Sequence, residues 1–168
     1  MTFTKYQFNN YCYWPSNPKK IIEFIGGSYL ASKPDLAYKR FIKSLIDKNY
    51  AVHAYKYTPQ FDHQELAMRA WKDFKSCQRS LSKRIGTSIP SIRIGHSLGC
   101  KLHLISPDGG RNCEKFISIS FNNFSAKRSI PFLKKISQKL EFNSEFSPSP
   151  ERTFGIIKKI SYLIDKSI

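Results

Sequence analysis

Gly95-His96-Ser97-Leu98-Gly99 has the form G-x-S-x-G. Its setting gives the match weight: an apolar run, Ile92-Arg93-Ile94, leads into it, and a helical pattern from Ser97 to Leu104 leads out. A sharp strand-to-helix turn of this kind exposes a serine hydroxyl for nucleophilic attack. The turn crowds the backbone on both sides, so the positions two before and two after the serine must lack a side chain. Gly95 and Gly99 meet that requirement. The chemistry implied is acyl transfer with Ser97 as nucleophile. It requires donors for an oxyanion, and Leu98 N–H is the first of them. The second is expected from Gly26-Gly27-Ser28-Tyr29, where Gly27 permits close backbone approach. The plainer alternative is that both glycine pairs only make tight turns. A phosphate-binding P-loop is excluded, because three residues separate Gly95 from Gly99 instead of four and Cys100 stands where lysine is required.

The elements that must position this turn are legible as an alternation of strands and helices. Ile21-Ile22-Glu23-Phe24-Ile25, ended by Gly26-Gly27, reads as a strand buried on both faces. A helix follows, with Ser32 as cap, Pro34 in its first turn and an apolar face of Ala37, Phe41 and Leu45 beside Tyr38, Ile42 and Ile46. Asn49 suits the left-handed closing position. A second strand spans Ala51 to Tyr57, and a longer helix starts near His63. Its residues Leu66, Ala70, Phe74, Cys77 and Leu81 fall on one stripe, and Arg69, Lys72, Lys75, Arg79 and Lys83 form a basic stripe that reads as a solvated face. Strands at Ile92-Ile94 and Phe116-Phe121 complete a set of four. Such alternation implies right-handed crossovers and a mostly parallel, doubly wound sheet. Tyr6 to Trp14 is aromatic and is expected to pack on a sheet edge. The chain reads as a single domain, residues 1–168: an N-terminal edge segment 1–18, a sheet core 19–124 and a helical part 125–168, with helices near Pro131–Leu140 and from Ser149.

Composition narrows the function classes. The chain has 168 residues, 40% hydrophobic and 14% aromatic, which suffices for one core without disulfide staples. No apolar run approaches the roughly 20 residues of a membrane-spanning helix. MTFTKYQFNN lacks the apolar centre of a secretory signal, so export is not expected and a cytoplasmic location is. Cys12, Cys77, Cys100 and Cys113 are irregularly spaced and read as buried thiols. The four histidines include no H-x-H or H-x-x-x-H pair, so neither a metal nor another cofactor is expected. The net charge of +16 draws polyanions. It is spread evenly, however: +9 over residues 1–84 and +7 over 85–168, with 20 Lys against 8 Arg. That pattern disfavours specific nucleic-acid recognition.

Several strings carry a family resemblance: Phe24-Ile25-Gly26-Gly27-Ser28, Phe61-Asp62-His63, Gly95 to His103 (GHSLGCKLH), Ser120-Phe121-Asn122-Asn123-Phe124 and Phe146 to Glu151. From about Pro15 onward the chain resembles an uncharacterised alpha/beta-hydrolase-like family of cyanobacteria and chloroplasts, a domain of unknown function. The resemblance implies a three-layer alpha/beta-hydrolase fold, here ending after the fourth recognisable parallel strand, and a serine hydrolase of unspecified substrate. In the alpha/beta-hydrolase order a carboxylate and then a histidine follow the serine. The only histidine after Ser97 is His103, about 9 Å further along its own helix, and it reads as a packing residue. The resemblance implies further strands after the Ser-Pro-Ser-Pro segment that would carry acid and base. Asp62-His63 is the substitute pair on the same sheet edge, with His63 as base, although Asp62 equally suits a helix cap. His53 and His96 read as packed, hydrogen-bonded histidines. Asn122 and Asn123 stand at the end of the fourth strand, positioned to orient a carbonyl or water or to satisfy a turn.

Two functions follow. The first is hydrolysis of a small ester or thioester. The second is a non-catalytic accessory role in which the basic surface meets anionic partners, including peripheral contact with an anionic membrane. An open edge at Phe116–Phe121 would also permit a homodimer.

Overall fold

The structure is a computed structural model, and it describes residues 2–28, 30–60 and 62–121. The helices expected after Asn123, together with Asn122, Asn123, Phe61 and the Ser-Pro-Ser-Pro segment, lie outside the described residues.

Among the described residues six strands form one sheet: β1 (Thr2–Gln7), β2 (Asn10–Pro15), β3 (Ile21–Ile25), β4 (Ala51–Tyr55), β5 (Ser91–His96) and β6 (Lys115–Ile119). Their spatial order is β1-β2-β4-β3-β5-β6. The four strands anticipated from hydrophobic runs are β3 to β6, and they pair in parallel. Tyr6 to Trp14 supplies more than edge packing. It contributes to a hairpin in which β2 pairs antiparallel with both β1 and β4. The turn residues Phe8 and Asn9 both have positive φ, 45° and 51°.

Four helices connect the strands: α1 (Pro34–Ala37), α2 (Lys39–Asp47), α3 (His63–Ile85) and α4 (Leu98–Leu104). The single helix expected after β3 is two, broken at Tyr38, and the residue at its start is Lys33, without a side-chain cap, rather than Ser32. Asn49 does adopt positive φ, 67°, and Gly86 closes α3 in the left-handed conformation.

Side chains of successive strand residues point to opposite faces, and β3 shows the consequence. Phe24 meets Tyr38 and Phe41 edge-on, with ring centres 4.7 and 5.2 Å away. Ile25, on the other face, joins Tyr55, Leu66, Ala70, Phe74 and Leu102 in the cluster beneath α3 and α4. Glu23 shares that second face and is fully buried, as is Arg93 beside it on β5. Arg93 Nε donates to Glu23 at 2.9 Å, and its two terminal nitrogens donate to Asp108 at 2.6 and 2.8 Å. Gln78 of α3 also donates to Glu23, and Trp71 and Ser106 donate to Asp108. Burial works to raise the Asp108 carboxyl, but these hydrogen bonds prevail and hold it below the ordinary range. For Glu23 burial prevails over the guanidinium and pushes the carboxyl up.

Cys12, Cys77 and Cys100 are buried thiols, whereas Cys113 is only half-buried. No helix among the described residues is long and apolar enough to cross a membrane, and no cluster of potential metal ligands occurs among them.

Candidate functional site

In an open parallel sheet the crevice for a ligand lies where successive connections leave in opposite directions. Here that point is between β3 and β5. The chain passes from β3 to β4 on one side, and then crosses back to β5 and on to β6 on the other. Ile25 pairs with Gly95, so the residues just past both strands, Gly26-Gly27 and His96-Ser97, meet at this point.

Ser97 is exposed and sits between β5 and α4 with φ 53° and ψ −117°. Few residues other than glycine adopt positive φ, and holding one there costs about 1–3 kcal/mol. Bonds on both sides fix the conformation: Ser97 N–H donates to Ile119 O at 2.9 Å, and Cys100 N–H donates to Ser97 O at 3.1 Å. The flanking glycines are needed for space. A Cβ on Gly95 would lie 2.5 Å from the Cys100 nitrogen, and one on Gly99 would lie 2.0 Å from Ile25 O. Replacing Ser97 by glycine should therefore release strain and raise stability by about 1 kcal/mol, whereas Ser97→Ala should leave it unchanged; thermal melts of the two variants make the comparison.

Gly27 borders the serine directly, since a Cβ there would come within 3.3 Å of Ser97 Cβ and 2.9 Å of His96 Nδ1. Its amide, expected to face an oxyanion, is already engaged: Gly27 N–H donates to Tyr38 Oη at 2.9 Å. Tyr38 Oη is in turn 2.8 Å from His96 Nδ1. Gly26 O accepts from the Tyr57 hydroxyl at 2.9 Å, which ties the same loop to the end of β4. Leu98 is the first residue of α4, so its N–H has no partner within the helix.

The histidines divide by environment. His96 is half-buried, and burial lowers its pKa. His53 and His103 are fully buried, and desolvation takes both down to about 3. His53 accepts from Trp14 Nε1 at 2.9 Å, and His103 stacks on Phe74, so both are packing residues. His63 is half-buried at the start of α3, where burial and then the charge of Lys101 lower its pKa. Asp62 Oδ1 accepts Glu65 N–H at 2.8 Å, as a helix cap does. Among the described residues the structure brings Ser97, His96, Gly27 and Tyr38 together, and no hydrogen bond joins His63 or Asp62 to Ser97. Tyr38 is the site residue that sequence reasoning missed. The available signal was that a tyrosine on a core-facing helical position needs a partner for its hydroxyl.

A six-stranded, mostly parallel sheet covered by helices, with an exposed serine at the turn after β5, defines an alpha/beta-hydrolase-like fold. The chain belongs to the family described as "Protein of unknown function (DUF1350)", which it matches over residues 6–167. Solved structures share the fold. A Thermus thermophilus protein has TM-score 0.52 and 15% identity, over 74% of this chain and 58% of its own. A candidate thioesterase from a Silicibacter species has TM-score 0.54 and 16% identity, over 77% of this chain and 53% of its own. The chain thus spans a little over half the length of these structures. A search among curated proteins returned no match.

Proposed function

We propose that the chain carries the nucleophile of a serine hydrolase acting on a small ester or thioester. The observation that carries this reading is the exposed Ser97 held at positive φ at the switch point of the sheet, with Gly27 against its Cβ. These features support reading the turn as a nucleophile elbow. Ser97 Oγ attacks the acyl carbon, the carbonyl electron pair moves to oxygen, and collapse of the tetrahedral species expels the alcohol or thiol and leaves an acyl-serine. Water then attacks the acyl carbon and releases the acid. Leu98 N–H supplies one donor to the oxyanion. Because Gly27 N–H is taken by Tyr38, the second donor is assigned to the next amide of that loop, Ser28 N–H. The proton on Ser97 Oγ needs a base. His63, which follows β4 at the same carboxyl edge of the sheet, is the proposed base, taking that proton and returning it to the leaving alcohol or thiol. The fold shared with the candidate thioesterase of the Silicibacter species supports including thioesters beside esters.

A fluorophosphonate probe tests the proposal because it phosphonylates an activated serine and needs no knowledge of substrate. The wild-type chain is expected to be labelled and Ser97→Ala is not. Absence of labelling in both overturns the enzyme reading and leaves the accessory one. That second reading draws on Tyr6 and Phe8, each about half exposed (49% and 47%) on the hairpin, with Lys56 Nζ 5.7 Å from the centre of the Tyr6 ring. Aromatic side chains beside a cation suit the headgroup level of an anionic bilayer, and salt-sensitive vesicle binding would be its sign.

A further inference from the structure

The loop after β3 and the turn at Ser97 are joined through one side chain, and the direction of its hydrogen bonds has a chemical consequence. A phenol hydroxyl has a single proton to donate. Tyr38 Oη is already the acceptor for Gly27 N–H at 2.9 Å, so its own proton is free for the His96 Nδ1 that lies 2.8 Å away. A neutral imidazole that accepts at Nδ1 carries its hydrogen on Nε2.

We infer that Tyr38 is a positioning residue for the candidate active site: by accepting from Gly27 and donating to His96 it fixes His96 as the Nε2–H tautomer and pins the loop with its Gly27 N–H turned to Tyr38 and not to an oxyanion at Ser97. The catalytic meaning of this rests on the hydrolase reading, while the tautomer and the loop bond do not. Three further observations agree with it. Tyr38 is buried, 5% exposed, and burial pushes its phenol up to about 12, so it keeps the proton it must donate. Burial lowers the His96 pKa, which favours the neutral ring at pH 7. Both glycines of the loop are fitted to this pair, since a Cβ on Gly26 would lie 2.6 Å from the Tyr38 ring and one on Gly27 would lie 2.9 Å from His96 Nδ1. The arrangement also removes His96 Nδ1 as a base for its neighbour, because that nitrogen's lone pair is occupied.

The test is nitrogen-15 NMR of the full chain. In the wild type the His96 ring should show a protonated Nε2 and an unprotonated, hydrogen-bonded Nδ1, and the Gly27 amide should exchange slowly. In Tyr38→Phe both signatures should go: the tautomers mix, Gly27 exchange accelerates at least about tenfold, and fluorophosphonate labelling of Ser97 slows by about tenfold or more as the donor loop drifts. The melting temperature should fall by about 4–8 °C, the worth of the two hydrogen bonds that Tyr38 Oη makes in a chain of this size. An Nδ1–H tautomer in the wild type overturns the inference without any variant, as does a Tyr38→Phe protein whose His96 and Gly27 signals are unchanged. A wild type that is never labelled but shows the Nε2–H tautomer rejects the hydrolase reading and upholds the positioning role.

Discussion

Gly99→Ala should cost the protein more than about 3 kcal/mol, seen as a fall of roughly 10 °C in melting temperature or as failure to accumulate folded material. The added methyl would stand 2.0 Å from Ile25 O, 2.7 Å from Ile25 C and 3.0 Å from Gly26 O. All three are backbone atoms, so no side chain can rotate away. Relief requires α4 to lift from the end of β3. Ser97 N–H is tied to Ile119, and Leu102 is packed under α3, so lifting the helix disturbs both the turn and the core. Gly95→Ala meets the same obstacle from the strand side, 2.5 Å from Cys100 N and Cα. A Gly99→Ala protein that melts with the wild type would show that α4 is not clamped against β3, and the geometry proposed for Ser97 would lose its support.

Arg93→Met is expected to destabilise the fold by about 3–5 kcal/mol in urea unfolding, because a buried charge is left without its partner. Glu23 has no exposed surface and would keep only the Gln78 hydrogen bond, while Asp108 would lose both donors from the guanidinium. The double variant Arg93→Met with Glu23→Leu should recover a large part of that loss, since an apolar pair of similar volume avoids desolvating charges. If the single variant proves as stable as the wild type, the network does not anchor the turn that carries Asp108 in the way described.

What could be read from the sequence divides along physical lines. Ile21–Ile25 was visible as β3 because a strand buried on both faces needs an unbroken apolar run, and the core stripe of α3 was visible because its period is helical. The turn at Ser97 was visible because two glycines bracket it. The hairpin was not, because its two-residue turn is Phe8-Asn9, with neither position a glycine although both have positive φ. The break at Tyr38 was hidden because the apolar spacing continues across it. What separates α1 from α2 is the non-helical backbone of Tyr38, with φ −115° and ψ 20°, and its hydroxyl contacts to Gly27 and His96 are ones no local pattern encodes. Glu23 and Arg93 sat inside runs that read as purely apolar strands, and their mutual satisfaction required the register of β3 against β5. The candidate site was legible in Ser97, Gly95, Gly99 and the loop at Gly27. The engagement of the Gly27 amide was not.

Both tryptophans of the chain donate their indole N–H to a titratable side chain, in different parts of the fold. Trp14, 4% exposed on β2, reaches His53, and Trp71 on α3 reaches Asp108 at 2.9 Å. Intrinsic emission is consequently a two-channel reporter. Undocking of the hairpin changes the surroundings of the first indole, and release of the acidic turn after α4 wets the second. Single-tryptophan versions would therefore reveal whether the hairpin and the turn at Asp108 melt together or in sequence.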